Sequence, residues 1–192
     1  MKIKAIAAAA LVAATILPTQ TLADTYLIDT KSAHASIQFR IKHLGYSWLS
    51  GRFNTFKGSF EYDENNPAAT SVQVEITAAS VDSNHAERDK HLRGKDFLHV
   101  DKYPKAHFES TAFKENGDGT ASLTGNLTLH GVTQPVTIAV EYIGHGKDPW
   151  GGYRRGFEGA TRIALADYGI NYNLGPKSKE VELKLSVEGI RQ

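Results

Sequence analysis

The residues best suited to chemistry crowd into one stretch, residues 82–101, here called the histidine-rich segment. Its histidines, aspartates and arginines are His85, His91, His99, Asp82, Asp89, Asp96, Asp101, Arg88 and Arg93. Imidazole and carboxylate groups bind transition metals, so a metal-dependent enzyme is one hypothesis. His85 and His91, however, are six positions apart, whereas paired ligands on a helix need a spacing of about four. This spacing favours a solvated helix whose charges pair locally, with no metal site.

The remaining histidines form no pattern typical of a nucleophilic catalyst. His34, His107, His130 and His145 fall near the ends of strand-like segments, on such segments or in turns. The sequence has no Gly-x-Ser-x-Gly elbow, no glycine-rich phosphate loop and no calcium-binding loop. A serine–histidine–aspartate set assembled from distant segments stays open as an alternative. We predict that the protein is not an enzyme.

Residues 1–23 have the pattern of a secretory signal peptide. Lys2 and Lys4 precede an apolar run at 5–17, and Thr21-Leu22-Ala23 is a small-x-small cleavage pattern. A spanning helix needs about 20 apolar residues, so a membrane anchor is disfavoured. We expect export to the periplasm and one mature domain at 24–192.

Charge and cysteine content exclude several classes of protein. The chain has 22 basic and 21 acidic residues and no cysteine. Removing Lys2 and Lys4 leaves 20 against 21, a net charge of −1 for the mature chain. Such a balance is unlike a nucleic-acid-binding protein, and no basic block could hold the chain on a membrane, so we expect membrane contact to be transient. Without disulfides or thiolate ligands, stability must come from core burial.

Alternating apolar and polar residues predict strands along most of the mature chain. Apolar residues at 37, 39 and 41 alternate with polar ones, which indicates a strand with one buried face. The same period returns at 72–76, 123–129, 136–142 and 181–187. His130-Gly131 predicts a two-residue hairpin. Eight or nine hairpin-connected strands favour a closed barrel over a sandwich, because closure removes exposed strand edges.

The histidine-rich segment interrupts this period and predicts a helix of about ten residues. Asn84 is the expected N-cap, with Glu87 at the capping-box position and Gly94 as the C-terminal stop. An ion pair between Asp89 and Arg93 would stabilise the helix.

The same insert carries apolar residues near its end. Leu92 and the Phe97-Leu98 pair would lay an apolar edge across one mouth of the barrel. We therefore expect the short helical insert to act as a lid.

Several motifs stand in a fixed order along the mature chain. They are Phe39 to Gly45, Gly51 to Asn54 with Phe60 beyond it, Arg88 to Phe97, Tyr103-Pro104 and Leu127 to Thr133. In these motifs the chain resembles the YceI family of periplasmic, lipocalin-like proteins, except that Gly94 stands where serine is common. The resemblance implies an all-β, eight-stranded antiparallel barrel. It also implies that the interior holds a polyisoprenoid chain, such as the tail of a quinone or quinone precursor.

Bulky apolar residues are the predicted lining for that chain. They are Phe39, Ile41, Phe53, Phe56, Phe60, Leu92, Phe97, Phe108, Leu127 and Leu129. Ordinary core packing is the alternative, since side chains alone can fill an eight-stranded barrel. The polar groups predicted to meet a ligand head group at the mouth are His43, Trp48, Arg88 and Asp89, with simple loop anchoring as the alternative.

The predicted function is a periplasmic binding or carrier protein for a long isoprenoid lipid of the quinone or quinone-precursor type. No cofactor besides this lipid is expected, and no nucleic acid partner. A periplasmic stress-related protein-interaction module and a metal-dependent enzyme using the histidine-rich segment stay open as alternatives. Homodimer formation is also left open.

Overall fold

The computed structural model describes residues 23–192, so the predicted signal peptide lies outside the described residues except for Ala23. The strand segments are β1 Asp24–Ile28, β2 Ser36–His43, β3 Ser47–Phe53, β4 Phe56–Tyr62, β5 Ser71–Thr77, β6 Val81–Asp82, β7 Lys105–Glu115, β8 Thr120–Leu129, β9 Val132–Lys147, β10 Tyr153–Ala164 and β11 Glu180–Arg191. One α-helix, α1 Ala86–Arg93, lies between β6 and β7. Within residues 23–192, no helix is long and apolar enough to cross a membrane.

The eleven segments form one antiparallel sheet that closes on itself. β1 and β2 both pair with β11, at its two ends, and therefore act as one interrupted strand. β3 and β4 form a second interrupted strand, and β5 and β6 a third. Pairing of β1 with both β4 and β11 completes the ring. The predicted eight-stranded antiparallel barrel is confirmed.

Alternation along the strands places one residue in two inside the barrel. In β8, Ala121, Leu123, Gly125 and Leu127 are buried, while the residues that alternate with them are partly or fully exposed. The alternation of apolar and polar residues is less clear in β10, because its inward positions include Arg155 along with Phe157. A charged residue on the inner face hides the apolar period of an otherwise regular strand.

The hairpin between β8 and β9 has the predicted two-residue turn. His130 and Gly131 have φ angles of 52° and 75°. Two left-handed residues in succession are what a type I′ turn requires, and glycine adopts this conformation without steric cost. The turn holds β8 and β9 in direct register, from Leu129 opposite Val132 onward.

Helix α1 occurs within the predicted insert, but it begins differently. His85 is the N-cap, and its Nδ1 accepts a hydrogen bond of 3.2 Å from the backbone N–H of Arg88. Asn84 precedes the cap with a φ of 62°, so the predicted Asn84 cap and its capping box with Glu87 are wrong. Imidazole nitrogen replaces the expected amide oxygen as the acceptor. Gly94 ends the helix as predicted.

The predicted ion pair between Asp89 and Arg93 is absent. Arg93 instead donates to the backbone oxygens of Ala79 and Val81, at 2.7 and 2.8 Å. Asp89 accepts hydrogen bonds from Ser83. A surface ion pair within one helix stabilises by only about 0.3–0.5 kcal/mol, so partners on the neighbouring segment prevail.

Candidate ligand cavity

The barrel interior contains two adjoining apolar cavities. The helix chamber, beneath α1, has a volume of about 340 Å³. The central chamber, in the middle of the barrel, has a volume of about 140 Å³. Ile37, Ile76, Leu127 and Leu183 line both chambers. The barrel is therefore hollow rather than filled by its own side chains.

Every residue predicted as apolar lining faces one of these chambers. Those lining the helix chamber are Phe39, Ile41, Phe53, Leu92, Phe97, Leu127 and Leu129. Those lining the central chamber are Phe56, Phe60, Phe108 and, again, Leu127. The alternation of the strands brings residues from five different strand segments and the lid region to one enclosed space.

Three of the aromatic rings lie against glycines of other strands. A β-carbon added to the glycine would lie 2.4 Å from the ring of Phe39 at Gly51, 2.5 Å from that of Phe108 at Gly125, and 2.4 Å from that of Phe60 at Gly189. Each ring thus occupies volume that a side chain would otherwise take. Because these glycines have no side chain, the three rings can pack against the barrel wall.

Sequence reasoning missed part of the lining. Leu165, Ile170 and Leu174, from the connection between β10 and β11, also line the helix chamber. This connection has no strand alternation, so its residue pattern does not indicate that it lies over the mouth. Five aliphatic residues of β9 and β11 also line the central chamber, namely Val136, Ile138, Val140, Leu185 and Val187. Their spacing of two residues could have predicted that they face the interior.

Helix α1 is fixed over the helix chamber through Ser83. The carboxylate of Asp89, which is buried, accepts from the backbone N–H of Ser83 at 2.8 Å and from its hydroxyl at 2.5 Å. Arg88 donates from Nε to the Ser83 hydroxyl oxygen at 2.7 Å and from Nη2 to the Ser83 carbonyl oxygen at 2.6 Å. These hydrogen bonds attach the lid to the barrel rim, and Leu92 of the same helix faces the chamber.

An aromatic cluster joins α1 to the β10–β11 connection. The rings of His91 and Phe97 have centres 5.0 Å apart, and Tyr172 lies 5.3 Å from His91 and 5.0 Å from Phe97. Edge-to-face aromatic contacts of this kind add about 0.5–1.5 kcal/mol to simple burial. The helix and the connection therefore cover the mouth together.

The four predicted head-group residues are not in one place. His43 and Arg88 line the helix chamber. Asp89 is engaged with Ser83 and does not line either chamber. Trp48 lies on the outer surface, where the Arg40 guanidinium carbon is 4.3 Å from its ring centre.

The histidine-rich segment forms no metal site in the described part of the chain. Among residues 23–192, potential ligands gather in threes only at Asp29, His34 and Glu188, with donor atoms within 4.8 Å of one another. The guanidinium of Arg154 already occupies this cluster, with Nη1 2.9 Å from Asp29 and 2.5 Å from Glu188. The positive charge of the Arg154 side chain therefore neutralises these carboxylates.

Asp29 is the most strongly perturbed carboxylate of this cluster. Burial by itself raises the pKa of Asp29, but hydrogen bonds from Arg154, Ser32 and His34 outweigh it and lower the pKa to about 2. Arg154 also pairs with Asp148, at 2.8 Å, and hydrogen bonds to Asp29, Asp148 and Glu188 raise the pKa of Arg154. The cluster ties β1, β10 and β11 together at the barrel closure.

Known families and relatives match most or nearly all of the chain. The YceI-like domain profile matches residues 26–189. A UPF0312 protein of Pseudomonas aeruginosa is 62% identical over 189 residues, covering 98% of both chains. UPF0312 proteins of Azotobacter vinelandii, 56% identical over 98% of both chains, and of Yersinia pestis, 61% identical over 88% of both, are similar as well.

Solved structures share the barrel. The YCEI protein of Campylobacter jejuni has a TM-score of 0.71 and 27% identity, over 79% of this chain and 90% of that one. BcnA of Burkholderia cenocepacia has a TM-score of 0.74 and 23% identity, over 84% and 98%. A polyisoprenoid binding domain of Saccharophagus degradans has a TM-score of 0.65 and 16% identity, over 90% and 100%.

Proposed function

The chain belongs to the YceI-like family, and from this membership together with its hollow apolar barrel we propose that it binds and carries a long polyisoprenoid lipid. The cargo lies in the helix and central chambers. The family and its structural neighbours point to a binding protein rather than an enzyme. A quinone or quinone precursor is the proposed cargo type.

The observation that carries this proposal is the apolar character of two adjoining chambers. The central chamber is walled almost wholly by aliphatic and aromatic side chains. A sugar or nucleotide would need several converging polar groups, whereas a hydrocarbon chain binds by non-directional burial. One structural neighbour is itself named a polyisoprenoid binding domain.

The energetics suit a carrier. Moving a tail of about 40 carbons out of water would nominally yield about 30 kcal/mol, above the practical ceiling of about 20 kcal/mol for binding. The tail normally resides in a bilayer, however, so transfer from membrane to barrel exchanges one apolar environment for another. A nearly balanced exchange lets the protein both load and unload.

Export to the periplasm and transient membrane contact form part of the proposal. The pattern of residues 1–23 supports export. Leu44, Tyr46, Trp48 and Tyr172 are exposed apolar or aromatic side chains, and Tyr46 is 87% exposed. Leu44 follows His43, and Tyr172 contacts Phe97, and both His43 and Phe97 line the helix chamber. Aromatic side chains are favoured at a membrane–water interface.

A basic groove lies beside Trp48. Lys42, Lys177 and Lys179 line it. Its two carboxylates pair with arginines, Glu182 with Arg40 and Glu180 with Arg162, so the lysines set its charge. An anionic bilayer surface attracts each such lysine by about 1 kcal/mol. The groove supports docking of this mouth on an anionic membrane.

Organic extraction of the purified protein followed by mass spectrometry tests the proposal directly. We expect one isoprenoid lipid per barrel, and uptake of the same lipid from quinone-containing vesicles by protein that has been stripped of ligand. A protein that yields no lipid and takes up none would contradict the carrier proposal and leave the protein-interaction hypothesis.

A further inference from the structure

A further pocket lies at the end of the barrel opposite α1, near the β7–β8 and β9–β10 turns. This far pocket has a volume of about 320 Å³. Its principal walls are Tyr62, Phe113, Tyr142, His145, Arg155 and Phe157. Phe113 and Phe157 also line the central chamber, so the far pocket continues the apolar interior.

Arg155 is the buried charge of this pocket. Only 3% of the residue is exposed. Its guanidinium carbon lies 4.2 Å from the ring centre of Tyr62, 5.8 Å from that of Tyr142 and 6.0 Å from that of Tyr26. Such a cage of tyrosines holds a cation by its ring faces.

The buried Nε–H group of Arg155 is left without an acceptor. Nη2 donates to the carboxylate of Glu64, but Nε has no hydrogen-bond partner among residues 23–192. A buried donor that lacks an acceptor is uncommon and destabilising, so each case needs an explanation. Burial alone would lower the pKa of Arg155, but contacts with Tyr26 and Glu64 raise it, and the guanidinium stays charged.

Other polar groups of the pocket are already paired. The Tyr62 hydroxyl donates to Glu115 at 2.7 Å, and burial together with this bond raises the pKa of Tyr62 to about 12. The Tyr142 hydroxyl lies 2.6 Å from Nδ1 of His145. The group that still lacks a partner is Nε of Arg155, which needs a hydrogen-bond acceptor and lies among aromatic side chains.

At the lid end of the interior, the arginine that lines the helix chamber is already hydrogen-bonded. This residue, Arg88, donates from both Nε and Nη2 to Ser83. An acceptor on the cargo would have to displace those bonds at the lid, whereas at Arg155 it would satisfy a donor that has none. The two ends of the cavity therefore differ in what they can recognise.

We propose that the oxygenated ring of a prenylated phenol or quinone binds in the far pocket, with a ring oxygen accepting a hydrogen bond from Arg155. The isoprenoid tail then runs through the central chamber toward α1. This inference rests on the proposed function and adds the orientation of the cargo. Glu64, which is exposed on its loop, also lines the pocket and keeps its bond to Nη2 of Arg155.

Two probes separate the ring from the tail: a benzoquinone carrying a short isoprenoid chain, and the same chain as a plain hydrocarbon. We expect Arg155→Gln to weaken binding of the quinone about tenfold, as loss of a charge-assisted hydrogen bond implies, and to leave the affinity for the hydrocarbon nearly unchanged. The matched variant Arg88→Gln, at the lid end, should alter both affinities alike. Equal loss of both ligands in Arg155→Gln, or selective loss of the quinone in Arg88→Gln, would overturn the assignment.

A second measurement avoids dependence on a variant that fails to fold. Wild-type protein is loaded with a quinone that carries a photoreactive group on its ring, and the cross-linked peptides are identified. Cross-links at Tyr62, Tyr142 or their neighbours support the inference, and cross-links in residues 86–98 overturn it. Failure of both probes to bind wild type would instead defeat the carrier proposal itself.

Discussion

The ring of Phe39 packs directly on Gly51, its register partner in the neighbouring strand. A β-carbon on Gly51 would lie 2.4 Å from Cζ of Phe39, closer than any carbon–carbon contact allows. The ring cannot keep its place against the wall unless residue 51 lacks a side chain. The open volume of the helix chamber therefore depends on a residue that contributes no atom to its lining.

Gly51→Ala is expected to push the Phe39 ring into the helix chamber. Overpacking of this kind costs about 1–3 kcal/mol of stability, and the chamber should lose capacity for lipid. Gly144→Ala is the matched control, since no atom lies within 4 Å of a β-carbon there. Thermal unfolding and extracted lipid per protein measure both effects. Undiminished lipid in Gly51→Ala would show that the chamber tolerates the displaced ring.

Asp89→Asn should loosen the lid. The buried carboxylate loses its charge-assisted hydrogen bonds with Ser83, at an expected cost of about 1–3 kcal/mol. We expect a lower unfolding temperature and faster transfer of lipid to acceptor vesicles. Glu87→Gln, on the exposed side of the same helix, is the control and should match wild type. Unchanged transfer rates in Asp89→Asn would mean that lipid leaves by another route.

Phe53→Asp and Leu127→Asp separate loading from folding. Phe53 is only half-buried on the wall of the helix chamber. The carboxylate introduced by Phe53→Asp can therefore stay hydrated in the empty barrel, but it would face the tail when lipid is bound. We expect a folded protein without lipid. Leu127 is buried between both chambers, so the same change there should reduce stability by several kcal/mol.

Circular dichroism and extractable lipid, measured on the same samples, decide between these outcomes. Phe53→Leu controls for lost volume and should keep its cargo. A folded Phe53→Asp variant with a full complement of lipid would argue against cargo in the helix chamber.

Stability should fall with acid because of Asp29. The pKa of Asp29 is about 2 in the folded protein, below its ordinary value of 3.8, so the ionised carboxylate stabilises the fold above pH 4. That contribution is lost as pH falls from about 4 to about 2. In Asp29→Asn the unfolding temperature should change less across this window. Asp101→Asn, at an exposed position, should follow wild type, and equal acid sensitivity of all three proteins would contradict the assignment.

Reversing charge in the basic groove should weaken membrane contact. Lys177→Glu is expected to lower binding to anionic vesicles at least fivefold, with a smaller effect at high salt, and to leave binding to zwitterionic vesicles unchanged. Lys114→Glu, near the opposite end of the barrel, is the control. Vesicle co-sedimentation measures both. Equal losses in the two variants would indicate a general effect of charge rather than docking of one mouth.

Much of this architecture could be predicted from the sequence because it follows from local periodicity. Apolar residues at every second position define which face of each strand points inward, and this rule assigned Phe39, Ile41, Leu127 and Leu129 to the interior. The turn at His130 and Gly131, where both residues have positive φ, could be predicted because a two-residue turn depends only on neighbouring residues in the sequence. Such hairpin-connected strands favour a closed barrel over a sandwich, because closure removes exposed strand edges.

The polar contacts were decided only by the tertiary structure. Asp89 binds Ser83 rather than Arg93, and Arg154 meets Asp29 across 125 positions of the chain. The lysines beside Trp48 come from segments more than 130 residues apart, which is why no basic run is visible in the sequence. Hydrogen bonds and ion pairs act over a few ångströms, so their partners are fixed by strand register and barrel closure. Alternation determines the side of the wall on which a residue lies, but not the residue it meets there.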